Sequence, residues 1–191
     1  MVDLPKALCI QAHGNALANL RLHAAMATLS TEDLHRERTS FFPSLMATLN
    51  HILGVDSYYI AALAGDSDAE ATWKRFRKLR ELAPLAAAQR ACDLRLVSLC
   101  EALDAAACDR VVDLPRGKGR VQRERAAHVL AHLFMHQTHH RGQVHARLRG
   151  TSVKPPQLDE FLMPSEAHLR EAEMLAFDWD ERQVYGPLPA P

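Results

Sequence analysis

The sequence predicts an all-α fold: an up-down four-helix bundle with short extra helices and a C-terminal extension. Three observations predict it. The apolar residues are mainly Leu and Ala, with aromatics at only 6% and eight glycines in 191 residues, a mix that favours helix over strand. Four long stretches carry apolar residues at helical spacing, and polar or Pro/Gly-containing segments separate them. The length suits one domain around one core. The expected division is a bundle domain over residues 1–176 and a tail over residues 177–191.

The first helix is expected over residues 5–29, with Pro5 in its first turn, where a missing N–H costs nothing. Residues 30–39 are polar and read as a loop, in which Ser30 or Thr31 can cap a short turn. A second helix follows over 42–63, with Pro43 near its start and Ala64-Gly65-Asp66-Ser67-Asp68 as its stop. Residues 73–81 form a basic amphipathic segment that suits a short helix. Pro84 opens a third long helix to residue 106. Residues 111–122, containing Leu114-Pro115-Arg116-Gly117-Lys118-Gly119, read as a turn or small hairpin, and the glycine spacing does not fit a phosphate loop. The fourth helix, over 123–149, is the longest clean pattern, with Gly150 where a helix C-cap is expected and Pro155-Pro156 preventing continuation. Ser165 and Glu166 begin a last short helix to residue 176, and the tail with Pro187 and Pro189 is expected to be loose.

Composition narrows the function classes. Lys plus Arg equals Asp plus Glu, 23 against 23, so no excess basic charge suggests a nucleic-acid partner. No apolar run reaches the ~18 residues that span a membrane, and the N-terminus lacks the pattern of a signal peptide. The four cysteines, Cys9, Cys92, Cys100 and Cys108, include no CxxC pair and read as free, small buried residues in a reducing cytoplasm.

Histidine is the unusual component. Of the 11, six (His128, His132, His136, His139, His140 and His145) fall between positions 128 and 145. At ~100° per residue, and with Leu133 as zero, Ala126, Val144, Leu130 and Leu148 define an apolar stripe between about +20° and +60°. His140 falls near −20° and His136 near −60°, within or beside the stripe, whereas His132, His139 and His128 fall between about −100° and −140°. His145, near +120°, lies on the opposite flank. His136 and His140 therefore point inward, one turn apart, and can converge on one ion or each bond a protein acceptor. A third ligand would come from the second helix, which offers His51 and Asp56. That helix is apolar nearly all round, so periodicity does not fix which side of it faces the fourth helix.

The segment Thr48-Leu49-Asn50-His51-Ile52-Leu53-Gly54-Val55-Asp56, followed by Tyr58-Tyr59 and Leu63, resembles the second helix of the DinB/YfiT-like family of metal-binding bundles. The string from His132 to Val144, with His136-Gln137-Thr138-His139-His140-Arg141-Gly142-Gln143, resembles that family's signature helix. Phe41-Phe42 and the stretch from Pro155 to Phe161 are similar to a common bacterial branch of it. The resemblance implies an up-down bundle, often a homodimer, with a divalent metal held by His51, His136 and His140.

Three neutral imidazoles leave the charge of a bound dication uncancelled, which makes it a strong Lewis acid for a water or a small-molecule thiol. Two reaction classes follow: metal-dependent hydrolysis, and transfer of a thiol to an electrophilic substrate. Relatives in the resembled family favour the second. The alternative is a non-catalytic metal-binding stress or scaffold protein. Imidazole donors suit zinc first, then nickel or iron. Asp56, Tyr59 and Gln143 are candidate pocket residues, and Arg141 is expected to make a structural salt bridge.

Overall fold

In the computed structural model, which describes residues 2–66 and 69–187, four long helices dominate: α1 Leu4–Met26, α3 Leu45–Ala64, α5 Leu82–Glu101 and α7 Ala126–Leu148. Short helices intervene: α2 Thr31–His35, α4 Ala69–Arg75, α6 Ala105–Asp109, α8 Glu171–Phe177 and α9 Glu181–Tyr185, with a 3₁₀ turn at Pro164–Leu169. A hairpin of β1 Val111–Pro115 and β2 Val121–Arg125 joins α6 to α7. Ser67 and Asp68 of the stop expected after the second helix, and Pro189 of the tail, lie outside the described residues.

Helix limits follow local chemistry. The Asp3, Ser30, Ser44 and Asp104 side chains each accept an N–H of the following first turn. Ser44 caps α3, so Phe42 and Pro43 stand outside the helix expected from residue 42. Gly65 ends α3 at φ 75, a left-handed position that disfavours any residue with a Cβ. The end of α7 differs from expectation: Arg149 stays right-handed and Gly150 is not a left-handed cap. The basic segment is helical only over Ala69–Arg75, upstream of most of the expected span. The third helix stops at Glu101, and α6 follows as a separate turn capped by Asp104.

Pairings between the long helices give their directions. Asn19 meets Asp93 and Cys9 lies with Cys100 in one core cluster, so α1 and α5 are antiparallel. Thr48 meets Arg147 and His51 meets His136, so α3 and α7 are antiparallel. Gln89 reaches Asp56 and Arg95 reaches Asp66, so α3 and α5 run parallel. The result is a bundle whose expected up-down alternation holds from α1 to α3 and from α5 to α7. The connection that contains α4 leaves α3 and α5 parallel.

A polar layer crosses the bundle core and includes every long helix. Asp93 of α5 accepts from Asn15 at 3.2 Å and Asn19 at 3.0 Å, both on α1. Gln89 donates to Asp93 at 3.0 Å and to Asp56 of α3 at 2.8 Å. Arg141 of α7 donates to the amide oxygens of Asn15 and of Asn19, the latter at 3.0 Å. Arg141 thus reaches the acids through asparagines, where the sequence predicts a direct salt bridge; its charge still lowers the pKa of both carboxyls. Burial outweighs it, lifting Asp56 to about 6 and Asp93, which also faces Asp56, to about 7. Gln137 also lowers Asp56, from outside hydrogen-bond geometry, so Asp56 Oδ1 has no hydrogen-bond partner among the described residues.

The C-terminal segment is not loose where described. Arg170, fully buried, donates to both carboxylate oxygens of Glu181 and to the carbonyls of Glu160 and Met163. Tyr185 donates to the Phe161 carbonyl at 2.8 Å, and Trp179 stacks on Phe177 at 4.2 Å. Phe161, Phe177, Val184 and Tyr185 share a core cluster with Leu17 of α1. Gly14 admits this contact, since a Cβ there would meet the Phe161 carbonyl at 3.1 Å.

The raised pKa of Asp93 gives a signed expectation. Folded protein keeps this proton where unfolded chain, with a pKa near 3.8, has lost it, so the contribution is present below that value and lost as pH rises toward 7. In urea unfolding, wild type is expected to lose roughly 1 kcal/mol or more relative to Asp93→Asn between pH 5 and 8. A pH-independent difference between the two would contradict the buried, protonated carboxyl.

Candidate metal centre

Helix α3 contributes His51 and helix α7 contributes His136 and His140 to one spot between them. One ligand-capable atom from each ring lies within 4.8 Å of the other two. His51 Nε2 and His136 Nε2 are 2.9 Å apart. Ring centroids are 4.9 Å apart for His51 and His136, 4.6 Å for His51 and His140, and 4.4 Å for His136 and His140. The antiparallel contact explains the match, because His136 and His140 are stacked one turn apart and His51 sits across from both. Among the described residues, these three alone form a metal-capable cluster of His, Cys, Asp or Glu.

The rings suit a cation. Two imidazole nitrogens on one tetrahedral zinc are about 3.3 Å apart, given Zn–N bonds of ~2.0–2.1 Å, so the 2.9 Å pair needs only a slight opening. The third ring would have to swing inward. His136 Nδ1 is buried with no hydrogen-bond partner. Burial, followed by the charge of neighbouring histidines, lowers His51 to about 4 and His136 to about 3. His140 is also lowered, mainly by burial. Neutral imidazole is the ligand form.

Supporting contacts orient the rings. His140 Nδ1 lies 2.9 Å from Gln143 Oε1, an acceptor, which puts the ring proton on Nδ1 and leaves Nε2 free. The other end of the Gln143 amide meets His139 Nε2 at 3.0 Å. His139 is exposed and His140 is buried, as the angles predict. Phe42 lies 4.4 Å from His51 and 5.5 Å from His140, ring to ring, and walls one side. Arg147 fixes that wall by donating to the Phe42 and Ser44 carbonyls and to Thr48.

The other predicted residues divide. Tyr59 lines a cavity of about 450 Å³ that reaches His136 and His132. Asp56 does not line it; it is fully buried in the polar layer. His128 is exposed, and His145 contacts the Pro156 carbonyl at 2.9 Å. Sequence reasoning gave no role to Phe42, Arg147 or the cavity residues Trp73 and Arg116. Phe42 carried a signal, since a bulky apolar residue just before the Ser44 cap of α3 is placed to pack against that helix.

All four cysteines are free, and no helix is long and apolar enough to cross a membrane among the described residues. A family model described as the DinB family matches residues 12–174. No curated protein matches the chain significantly.

The lowered pKa values predict ring carbon NMR shifts for His51 and His136 in metal-free protein that stay at neutral-imidazole positions from pH 8 down to about 5. Protonation of either ring with a midpoint above about 6 would contradict the burial seen here.

Proposed function

The chain belongs to the DinB family, and on that premise we propose that it binds one divalent metal ion through His51, His136 and His140 and acts as a metal-dependent thiol S-transferase. The observation that carries the reading is the convergence of three neutral-favouring imidazoles from two helices on one point. The ion, zinc in the first place and nickel or iron otherwise, would supply Lewis acidity to a small-molecule thiol while an electrophilic substrate is bound beside it.

The chain's own residues divide the remaining work. His51, His136 and His140 present unprotonated nitrogens. Gln143 holds the His140 tautomer, and Phe42 keeps water from one side. The cavity lined by His136 gives small molecules a route to that ring, which supports catalysis over a closed structural site. Among the cavity residues the one carboxylate is Glu70, and it is paired with Lys74 at 2.7 Å. The preference for thiol transfer over hydrolysis rests on the family resemblance. We place the protein in the cytoplasm, on its free thiols, and as a homodimer, on the family resemblance.

Untagged protein is expected to contain a single divalent ion by mass spectrometric metal analysis, and His51→Ala and His140→Ala to lose it. Gln143→Ala should weaken affinity by the roughly 10–100-fold typical of a lost orienting partner. Full metal content in both histidine variants would overturn the ligand assignment. Loaded protein should conjugate a small thiol to an activated chloroarene, forming the C–S bond with release of chloride and a proton; absence of turnover with every cellular thiol tried would favour a non-catalytic metal-binding role.

A further inference from the structure

The cavity beside His136 has a lining that specifies more than access. Its walls are aromatic: Tyr58 meets Tyr59 edge-on at 5.2 Å and Trp73 at 6.4 Å. The Tyr58 hydroxyl is already used, donating to the Pro115 carbonyl at 2.7 Å, so the ring is held in place with its polar end turned to the hairpin. Flat walls of this kind favour a planar, unsaturated body. At about 450 Å³, the space suits a small organic molecule.

Charge sets the polarity of that molecule. Lys74 and Glu70, both on the cavity wall, cancel as an ion pair. Arg116 is left. Many arginines here meet a carboxylate: Arg21, Arg36, Arg95, Arg123, Arg125 and Arg170 all do. Arg116 has no such partner among the described residues. Its Nε donates to the Gln122 amide oxygen at 3.1 Å and its Nη2 to the Tyr59 hydroxyl at 3.1 Å. A guanidinium has five N–H donors, so three stay available. The Tyr59 and Gln122 contacts hold the exposed fork at the cavity rim, where its remaining N–H groups suit the paired oxygens of a carboxylate.

We propose that this cavity binds a planar organic acid, with its carboxylate on Arg116 and its flat body among Tyr58, Tyr59 and Trp73. The acid is the electrophile of the thiol transfer proposed above: the sulfur adds to a carbon–carbon double bond conjugated with the carboxylate, the thiol proton ends on the neighbouring carbon and no group leaves; the inference rests on that reading only for this role. Recognition of the carboxylate belongs to Arg116 and does not require the metal. Tyr59 acts as a positioning residue, holding the guanidinium through its hydroxyl.

Binding of trans-cinnamate and of its neutral isostere trans-cinnamamide, followed by ligand-observed NMR, tests this. Zinc-loaded wild type should prefer the acid by roughly tenfold or more. Arg116→Gln should bring the two ligands to similar affinity while metal content is unchanged. Arg116→Lys should keep part of the preference, and Tyr59→Phe should reduce it. His51→Ala should retain it despite losing metal. Equal affinity in wild type, a preference that survives Arg116→Gln, or no saturable binding of either ligand would overturn the proposal. A preference that disappears in His51→Ala would overturn it too, by putting the carboxylate on the ion. Wild type without metal but with an Arg116-dependent preference would sink the metal reading and leave this one standing.

Discussion

Axial register between the four long helices is the constraint on which the candidate centre depends, and the buried polar layer sets it. Asp56 and Asp93 cannot find other hydrogen-bond donors in an apolar core, so a helix that slid would leave Gln89, Asn15, Asn19 or Arg141 unpaired. The layer and the rings share sequence neighbours: Arg141 follows His140, Gln137 follows His136, and Asp56 lies five residues beyond His51. A slip of one turn, about 5.4 Å, would exceed the spread of the ligand atoms. The hydrogen bonds of the layer and the convergence of the rings are therefore one geometric condition. The layer is costly, as the raised carboxyl pKa values show, and what it contributes is uniqueness of arrangement.

The histidines show how much a sequence can carry. Helix α7 has one narrow apolar stripe, so a fixed angular step separates buried His140 from exposed His139 correctly. Helix α3 is apolar nearly all round, and the same procedure has no reference direction there. The residues alone offer His51 and Asp56 as candidate third ligands, only the family resemblance singles out His51, and its place opposite His136 is a tertiary fact. The bundle was legible for a related reason, because long periodic segments identify themselves. The parallel run of α3 and α5 was not, since direction depends on where a crossover leads. The tail was misread because Pro-rich composition hides a few strong anchors: Tyr185, Val184 and the Glu181 partner of Arg170.

Desolvation gives the centre its chemical character. The rings are partly buried among other rings, so protonation is disfavoured on each and doubly so where another imidazolium would adjoin. Nearby carboxylates, which would raise those pKa values, are kept away in the polar layer or tied to a lysine. The outcome is a set of three imidazoles held toward the neutral form, of which His136 also lines the cavity walled by Tyr58, Tyr59 and Trp73. A cation bound by such donors keeps its full charge, in contrast to one neutralised by acidic ligands.

The β1–β2 hairpin joins the bundle core through its first strand only. Val112 and Leu114 anchor its first strand, while its tip, with Gly117, Lys118 and Gly119 all at positive φ, is a small exposed loop. Arg116 sits at the root of that loop, so the rim of the cavity is built by a segment whose sequence can drift without disturbing helix packing. Exchange of the tip residues would change what an entering molecule meets at Gly117 and leave the helices underneath unaltered: the hairpin separates selectivity from framework.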